Sequence, residues 1–190
     1  MADTIDLLKT RKSVPAAFLS GPGPNDAEIE TLLTIASRVP DHGKLVPWRF
    51  IVLRGDARLD AAARLGKLYE KTNPGQGEAK IAHVMVRAPL AIAVVSRAGP
   101  HEKIPEIEQL LSAGASAMNI VVASHALGYA ANWITGWAAY NDEARAILGL
   151  KPEERLAAIV FIGTSTLADA PERPRPALAD IVTEWRPPSD

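Results

Sequence analysis

At 190 residues and 47% hydrophobic content, the chain is long enough to bury one sizeable core and short for two. Its 21 basic and 22 acidic residues leave a net charge of −1, which gives no electrostatic reason to expect nucleic acid or an anionic membrane as partner. The lack of cysteine excludes disulfides, thiolate metal sites and thiol nucleophiles, so redox chemistry here needs a cofactor.

The first residues carry no basic region followed by an apolar run, so the expectation is a single domain over residues 1–190, cytoplasmic and not membrane-bound. Residues 4–11 read as a short helix capped by Asp3 or Thr4, which delivers Arg11-Lys12-Ser13 to its C-terminal end. The turn-rich segment 20–25 contains Gly21-x-Gly23, but no strand precedes it and the third glycine of a dinucleotide fingerprint is missing. Asn25 and Glu28 have capping-box spacing, and Ile29, Leu32, Leu33 and Ala36 follow at helical intervals, so a second helix runs from here and ends before Pro40. Residues 38–50 then join helix to strand, with Arg38, His42, Lys44, Arg49, two prolines and Trp48 in one connection. A loop held by rigid elements is where polar groups are aimed at ligands.

Residues 48–53 predict a strand closed by a turn at Arg54-Gly55-Asp56, residues 57–71 a helix, 73–77 a loop and 78–86 a second short helix stopped by Pro89. The run 90–95 has no polar alternate positions and predicts a strand buried on both faces. Residues 105–127 form the longest helical candidate, ended by Gly128; its polar members Glu106, Glu108, Gln109, Asn119 and His125 exclude a membrane span. The small residues 112–117 in its middle allow close approach, either by a neighbouring helix or by a flat ligand. Residues 129–135 predict a third strand running into Gly136-Trp137, Asn141 caps a brief helix closing at Gly149, and 156–162 predict a fourth strand ending in Gly163-Thr164. Beyond it lies a proline-punctuated tail, with structure regained over 177–185. Strands separated by helices imply an α/β or α+β sheet covered by helices.

Chemistry-bearing patterns are few. The four histidines have no metal-ligand spacing, no serine sits in a nucleophile-elbow turn, and there is no phosphate-binding GxxxxGK[ST] loop. Asp41-His42 resembles a dyad on paper, although adjacent residues seldom point at each other. What remains are cationic clusters at Arg11-Lys12-Ser13, Arg38 to Lys44 and Arg173-x-Arg175, which together suit a phosphate-bearing ligand because the guanidinium fork offers two parallel donors.

In order and spacing these pieces resemble the nitroreductase family of FMN flavoenzymes, in its short NAD(P)H nitroreductase branch. The likeness rests on Arg11-Lys12-Ser13, on Arg38-x-Pro40-Asp41-His42 followed by Pro47-Trp48-x-Phe50, on Glu108-Gln109 and Ser112-Ala113-Gly114, on Gly128-Tyr129 and Trp133-Ile134-Thr135-Gly136, and on Gly163-Thr164 with Arg173-x-Arg175. The resemblance implies an α+β fold, a central mixed β-sheet flanked by helices, in an intertwined homodimer with FMN at the subunit interface. It implies that Arg11, Lys12 and Ser13 hold the phosphate and ribityl end, with Lys12 an alternative contact to the pyrimidine edge. Arg38 and His42 would reach the flavin from the partner subunit, Trp133, Ile134, Thr135 and Gly136 would line the ring, and Arg173 and Arg175 would close on the phosphate. NADH or NADPH would be the reductant and a small nitroaromatic or quinone-like molecule the electron acceptor, with no catalytic side chain required because FMN carries the chemistry. Three positions depart from the family pattern: Ile134 for an arginine, Val46 for a glutamine and Lys44 for a small polar residue. A non-catalytic flavin-binding protein, a flavoenzyme of the same fold with another acceptor, and a domain without cofactor remain the alternatives.

Overall fold

The computed structural model describes residues 3–76 and 80–187. Helix α1 (Thr4–Thr10) starts where Asp3 accepts the Ile5 N–H at 3.2 Å. Helix α2 (Asp26–Ala36) carries the capping box in full: Asn25 Oδ1 accepts from Glu28 N–H at 3.0 Å and Glu28 Oε2 from Asn25 N–H at 2.8 Å. Between them lies a two-residue strand, β1 (Leu19–Ser20), too short for periodicity to reveal. Strand β2 (Trp48–Arg54) runs directly into α3 (Gly55–Thr72). The expected turn at Gly55 is therefore the first residue of the helix, entered at φ +54. Helix α4 (Lys80–Arg87) answers the predicted helix over 78–86, whose residues 78 and 79 lie outside the described ones. Then follow β3 (Leu90–Ser96), α5 (Glu106–Ala126), β4 (Ala130–Ile134), α6 (Asp142–Ile147), β5 (Arg155–Ser165) and α7 (Leu178–Ile181). Gly128 ends α5 at φ +87, its N–H donating to the His125 carbonyl at 3.0 Å.

Every strand pair described is antiparallel, where a mixed sheet was expected. The connections give the reason. Two helices, α3 and α4, separate β2 from β3 and return the chain to the end it left, so β3 runs back along β2. The single helix α5 is a crossover that leaves β4 running the same way as β3, but β5 lies between these two and opposes both. Strand β5 also outlasts its predicted end at residue 162, because Thr164 and Ser165 pair with Ser20 and Leu19 of β1. Gly163 makes that passage possible: a Cβ there would lie 2.7 Å from both Pro89 Cδ and the Ser20 carbonyl oxygen.

The sheet is covered on both faces, and β3 shows it residue by residue. Ala91, Ala93 and Val95 pack with Leu65 and Leu68 of α3, Val84 and Met85 of α4 and Phe161 of β5. Leu90, Ile92 and Val94 pack on the other face with Ile29 and Leu32 of α2, Ile120 and Val121 of α5 and Val160 of β5. That two-sided burial is why the strand has no polar alternation. One ion pair is embedded at the sheet edge: Glu154, 3% exposed, accepts from Arg49 Nε at 2.7 Å, Arg49 Nη2 at 2.6 Å and Lys151 N–H at 2.8 Å. Arg49 Nη2 also donates to the Gly149 carbonyl at 2.8 Å, so the pair fastens the turn before β5 to β2. Hydrogen bonding to Arg49 lowers the Glu154 pKa to about 2, with the Lys151 amide adding to it and burial opposing. Among the described residues no helix is long and apolar enough to cross a membrane.

Candidate cofactor-binding site

Residues 38–48 are held against α5 by a row of polar side chains on one of its faces. Asn119 Nδ2 donates to the Ile35 and Arg38 carbonyls at 3.0 and 3.3 Å. Ser112, buried, donates to the Pro40 carbonyl at 2.7 Å and accepts from Trp48 Nε1 at 3.1 Å. Glu108 Oε2 meets His42 Nδ1 at 2.7 Å. The dyad reading of Asp41-His42 fails here. The Asp41 carboxylate instead accepts from the Leu45 and Val46 N–H groups at 3.0 and 2.8 Å, so aspartate shapes the turn while the histidine faces α5. Inside that turn Gly43, Lys44 and Val46 have φ of 72, 57 and 48. For a β-branched residue such as Val46 this is genuine backbone strain, sustained because Asp41 holds its N–H and Arg97 Nη2 holds its carbonyl at 2.6 Å. Gly43 cannot be replaced freely either, since a Cβ would collide with Ile104. The loop presents Arg38, His42 and Lys44 outward, all exposed, and neither the Arg38 guanidinium nor the Lys44 ammonium has a partner among the described residues.

A second cluster forms at the other end of α5. Arg11 is partly buried and lies close enough to His125 for its charge to act on that ring; burial first and this charge second push the His125 pKa down, keeping it neutral. Nε and Nη1 of Arg11 and Nε2 of His125 are buried with no hydrogen-bond partner among the described residues. Lys12 Nζ pairs with Asp169 at 3.0 Å and reaches Glu172 at 3.9 Å, and Glu172 also takes Arg175 at 3.3 Å. The first cationic segment and the C-terminal tail thus meet, through carboxylates that were not among the residues expected at the site. Arg173 is exposed, and Ser13 is half-buried. Strand β4 is joined to this cluster by Asn132 Nδ2, which donates to the Val14 carbonyl at 2.8 Å. At its end Trp133 is 39% exposed, Ile134 packs partly into the core and Thr135 is half-buried. Gly136 is exposed at φ +62. Trp48 is a buried core residue, and Trp137, partly buried, packs against the core edge-on to Tyr69 at 5.0 Å.

Arg11 and His42 do not meet within one chain. Their neighbours on α5, His125 and Glu108, are 17 residues apart on a single helix, about 25 Å along its axis and about 100° around it. A cavity of about 700 Å³ lies elsewhere, between α3 and α4 beside Ala62, Gly66, Ala82 and Glu70, and contains none of these residues. Meanwhile α5 exposes Ile107 (59%), Leu111 (64%) and Met118 (38%) along one stripe, with open space over Gly114 between them. Helix α1 buries no residue and exposes Ile5 and Leu8, and the tail exposes Leu178, Ile181, Val182 and Trp185.

The sequence model of the Nitroreductase family matches residues 8–164. The chain belongs to the nitroreductase family. A Haemophilus influenzae protein named "Putative NAD(P)H nitroreductase" is 34% identical over 164 residues, covering 85% of this chain and 88% of the relative. The Escherichia coli K12 protein "Putative NAD(P)H nitroreductase YdjA" is 29% identical over 167 residues, covering 87% and 90%. The crystal structure of a nitroreductase-like family protein from Bacillus cereus has the same fold, with a TM-score of 0.80 at 21% identity over 97% of each chain. So does a nitroreductase-named protein from Desulfovibrio desulfuricans crystallised in complex with FMN, with a TM-score of 0.76 at 21% identity over 99% of each chain. Within this family frame, two of the three departures, Lys44 and Val46, are the two non-glycine residues with positive φ among the described residues, so unusual side chains and unusual backbone coincide in one turn. The braces of that turn were missed by sequence reasoning except for one signal: Glu108, Ser112 and Asn119 recur at helical spacing on a helix whose remaining middle is apolar or small.

Proposed function

We propose that the chain is an FMN-dependent NAD(P)H oxidoreductase of the cytoplasm, working as a homodimer whose two flavin sites each draw residues from both subunits. The observation that carries the cofactor is the Arg11 guanidinium, whose buried Nε and Nη1 lack an acceptor among the described residues: a charged donor is desolvated at a cost unless an anion completes it, and a phosphate fits its planar fork. Ser13 and Lys12 adjoin it, and Arg173 and Arg175 lie on the tail segment tethered to Lys12. These residues would hold the phosphate and ribityl end, with Trp133 to Gly136 along the ring. His42 would come from the partner, because within one chain it is held at the far end of α5, and Arg38, on the same loop, would come with it. The apolar stripe on α5, the bare face of α1 and the apolar tail supply the surface such a dimer would bury.

FMN, when bound, would supply the redox chemistry of a hydride transfer between NADH or NADPH and a nitroaromatic or quinone-like acceptor. The chain's own residues bind and orient. Lys12 would add positive charge near the ligand by exchanging its Asp169 and Glu172 contacts for it, and the strained Lys44–Val46 turn would shape the wall against which an acceptor rests. Purified protein should be yellow and release FMN on denaturation, and NADH or NADPH added without air should bleach it. A colourless protein that takes up no added FMN would contradict the reading, and a yellow protein that neither nicotinamide bleaches would leave a flavin-binding protein without turnover.

A further inference from the structure

The structure shows more of His42 than its place on the loop. An ionised carboxylate only accepts hydrogen bonds, so the 2.7 Å contact of Glu108 Oε2 with His42 Nδ1 requires the proton on Nδ1. Nε2 is then the free edge of the ring; it has no partner among the described residues, and the side chain is 63% exposed. The loop that carries the ring is held at several points. Ser112, one helical turn beyond Glu108, grips the Pro40 carbonyl, Asp41 closes the turn over Leu45 and Val46, and Gly43 is pressed on Ile104. A braced loop and one direct contact to Nδ1 thus hold a side chain whose outer nitrogen touches nothing among the described residues.

We propose that Glu108 is the positioning residue of the composite site: by holding the Nδ1 proton of His42 it presents Nε2 across the subunit interface as the atom that contacts the ligand. This rests on the flavin-binding reading above and adds to it a residue and an atom. A neutral ring held this way offers a lone pair at Nε2, so it recognises a donor, a hydroxyl or an imide N–H of the bound molecule, whereas Arg38 and Lys44 beside it recognise acceptors. One loop thus offers both kinds of contact, and the acceptor among them is set by a carboxylate 66 positions away.

The test uses the full-length, FMN-free chain labelled with ¹⁵N-histidine at pH 9, where an imidazole is neutral. Long-range ¹H–¹⁵N spectra should show His42, assigned by its loss in His42→Ala, as the Nδ1–H tautomer. Glu108→Ala should release that preference, while Glu108→Gln, whose amide oxygen still accepts from Nδ1, should keep it. In parallel, FMN titration should show Glu108→Ala weakened by about tenfold, about the loss of one net hydrogen bond, and Glu108→Gln within about twofold of wild type. The double variant Glu108→Ala/His42→Ala should bind no worse than His42→Ala alone, because the carboxylate acts only through the ring. A wild-type His42 protonated on Nε2, or FMN bound equally well by Glu108→Ala, overturns the positioning role. Failure of the wild-type chain to take up FMN overturns instead the flavin reading on which it stands.

Discussion

Arg11→Ala should weaken FMN retention by at least about 100-fold, because two or more charge-assisted hydrogen bonds to the phosphate go together. The same substitution should leave the FMN-free chain no less stable. In the ligand-free fold Nε and Nη1 are buried without acceptors among the described residues, so the guanidinium opposes folding there rather than supporting it. Deleting it removes a desolvated cation beside the neutral His125. Arg11→Lys keeps the charge but not the fork and should bind FMN with intermediate affinity. Fluorescence titration of FMN and thermal melting of the FMN-free protein check both halves. Affinity unchanged in Arg11→Ala would mean that the phosphate is held elsewhere, and a collapse of the ligand-free fold would mean that Arg11 is structural.

Glu154→Gln should lower stability by about 3 kcal/mol at neutral pH, the equivalent of a carboxyl moved from its unfolded value near 4.3 to the folded value of about 2. This is an upper bound, since the Arg49 side chain is 31% exposed and water screens part of the attraction. The folded pKa lies below the unfolded one, so the contribution is complete above about pH 4.3 and disappears as pH falls toward 2. Urea midpoints of wild type and variant should therefore converge across that interval. A difference that persists unchanged at pH 2 would show that Glu154 acts through packing rather than charge. The pair is far from the cationic clusters in role, so FMN affinity should be unaffected wherever the variant is folded.

Most elements were legible because each carries a local signal. The Asn25–Glu28 capping box, the Asn141 cap and Gly128 all sit where their side-chain or backbone chemistry ends or begins a helix. The uninterrupted apolar run of β3 correctly signalled burial on two faces. What escaped was non-local. Strand direction depends on where β5 inserts, and no residue pattern in β3 or β4 encodes that insertion. The extension of β5 to Ser165 and the existence of β1 depend on each other, 146 positions apart in the Leu19–Ser165 pair. At the site, the cationic residues were legible by type and spacing, but their partners were not. Asp41 looked like half of a dyad and proves to be the brace of a turn. Of the carboxylates that meet Lys12 and His42, Asp169 and Glu172 are surface residues that matter only through what the fold brings beside them, and Glu108 stood out in sequence as part of a motif but not as the partner of His42.

The proposed site has one geometric root: within a single chain, Arg11 and His42 lie at opposite ends of α5 and on different faces of it. If FMN needs both, two chains must supply them. Native mass spectrometry of the purified flavoprotein measures this directly. The account predicts a species of twice the 20.3 kDa chain mass carrying two FMN molecules, with dissociation to single chains releasing the flavin. A 20.3 kDa chain that retains FMN on its own would contradict it.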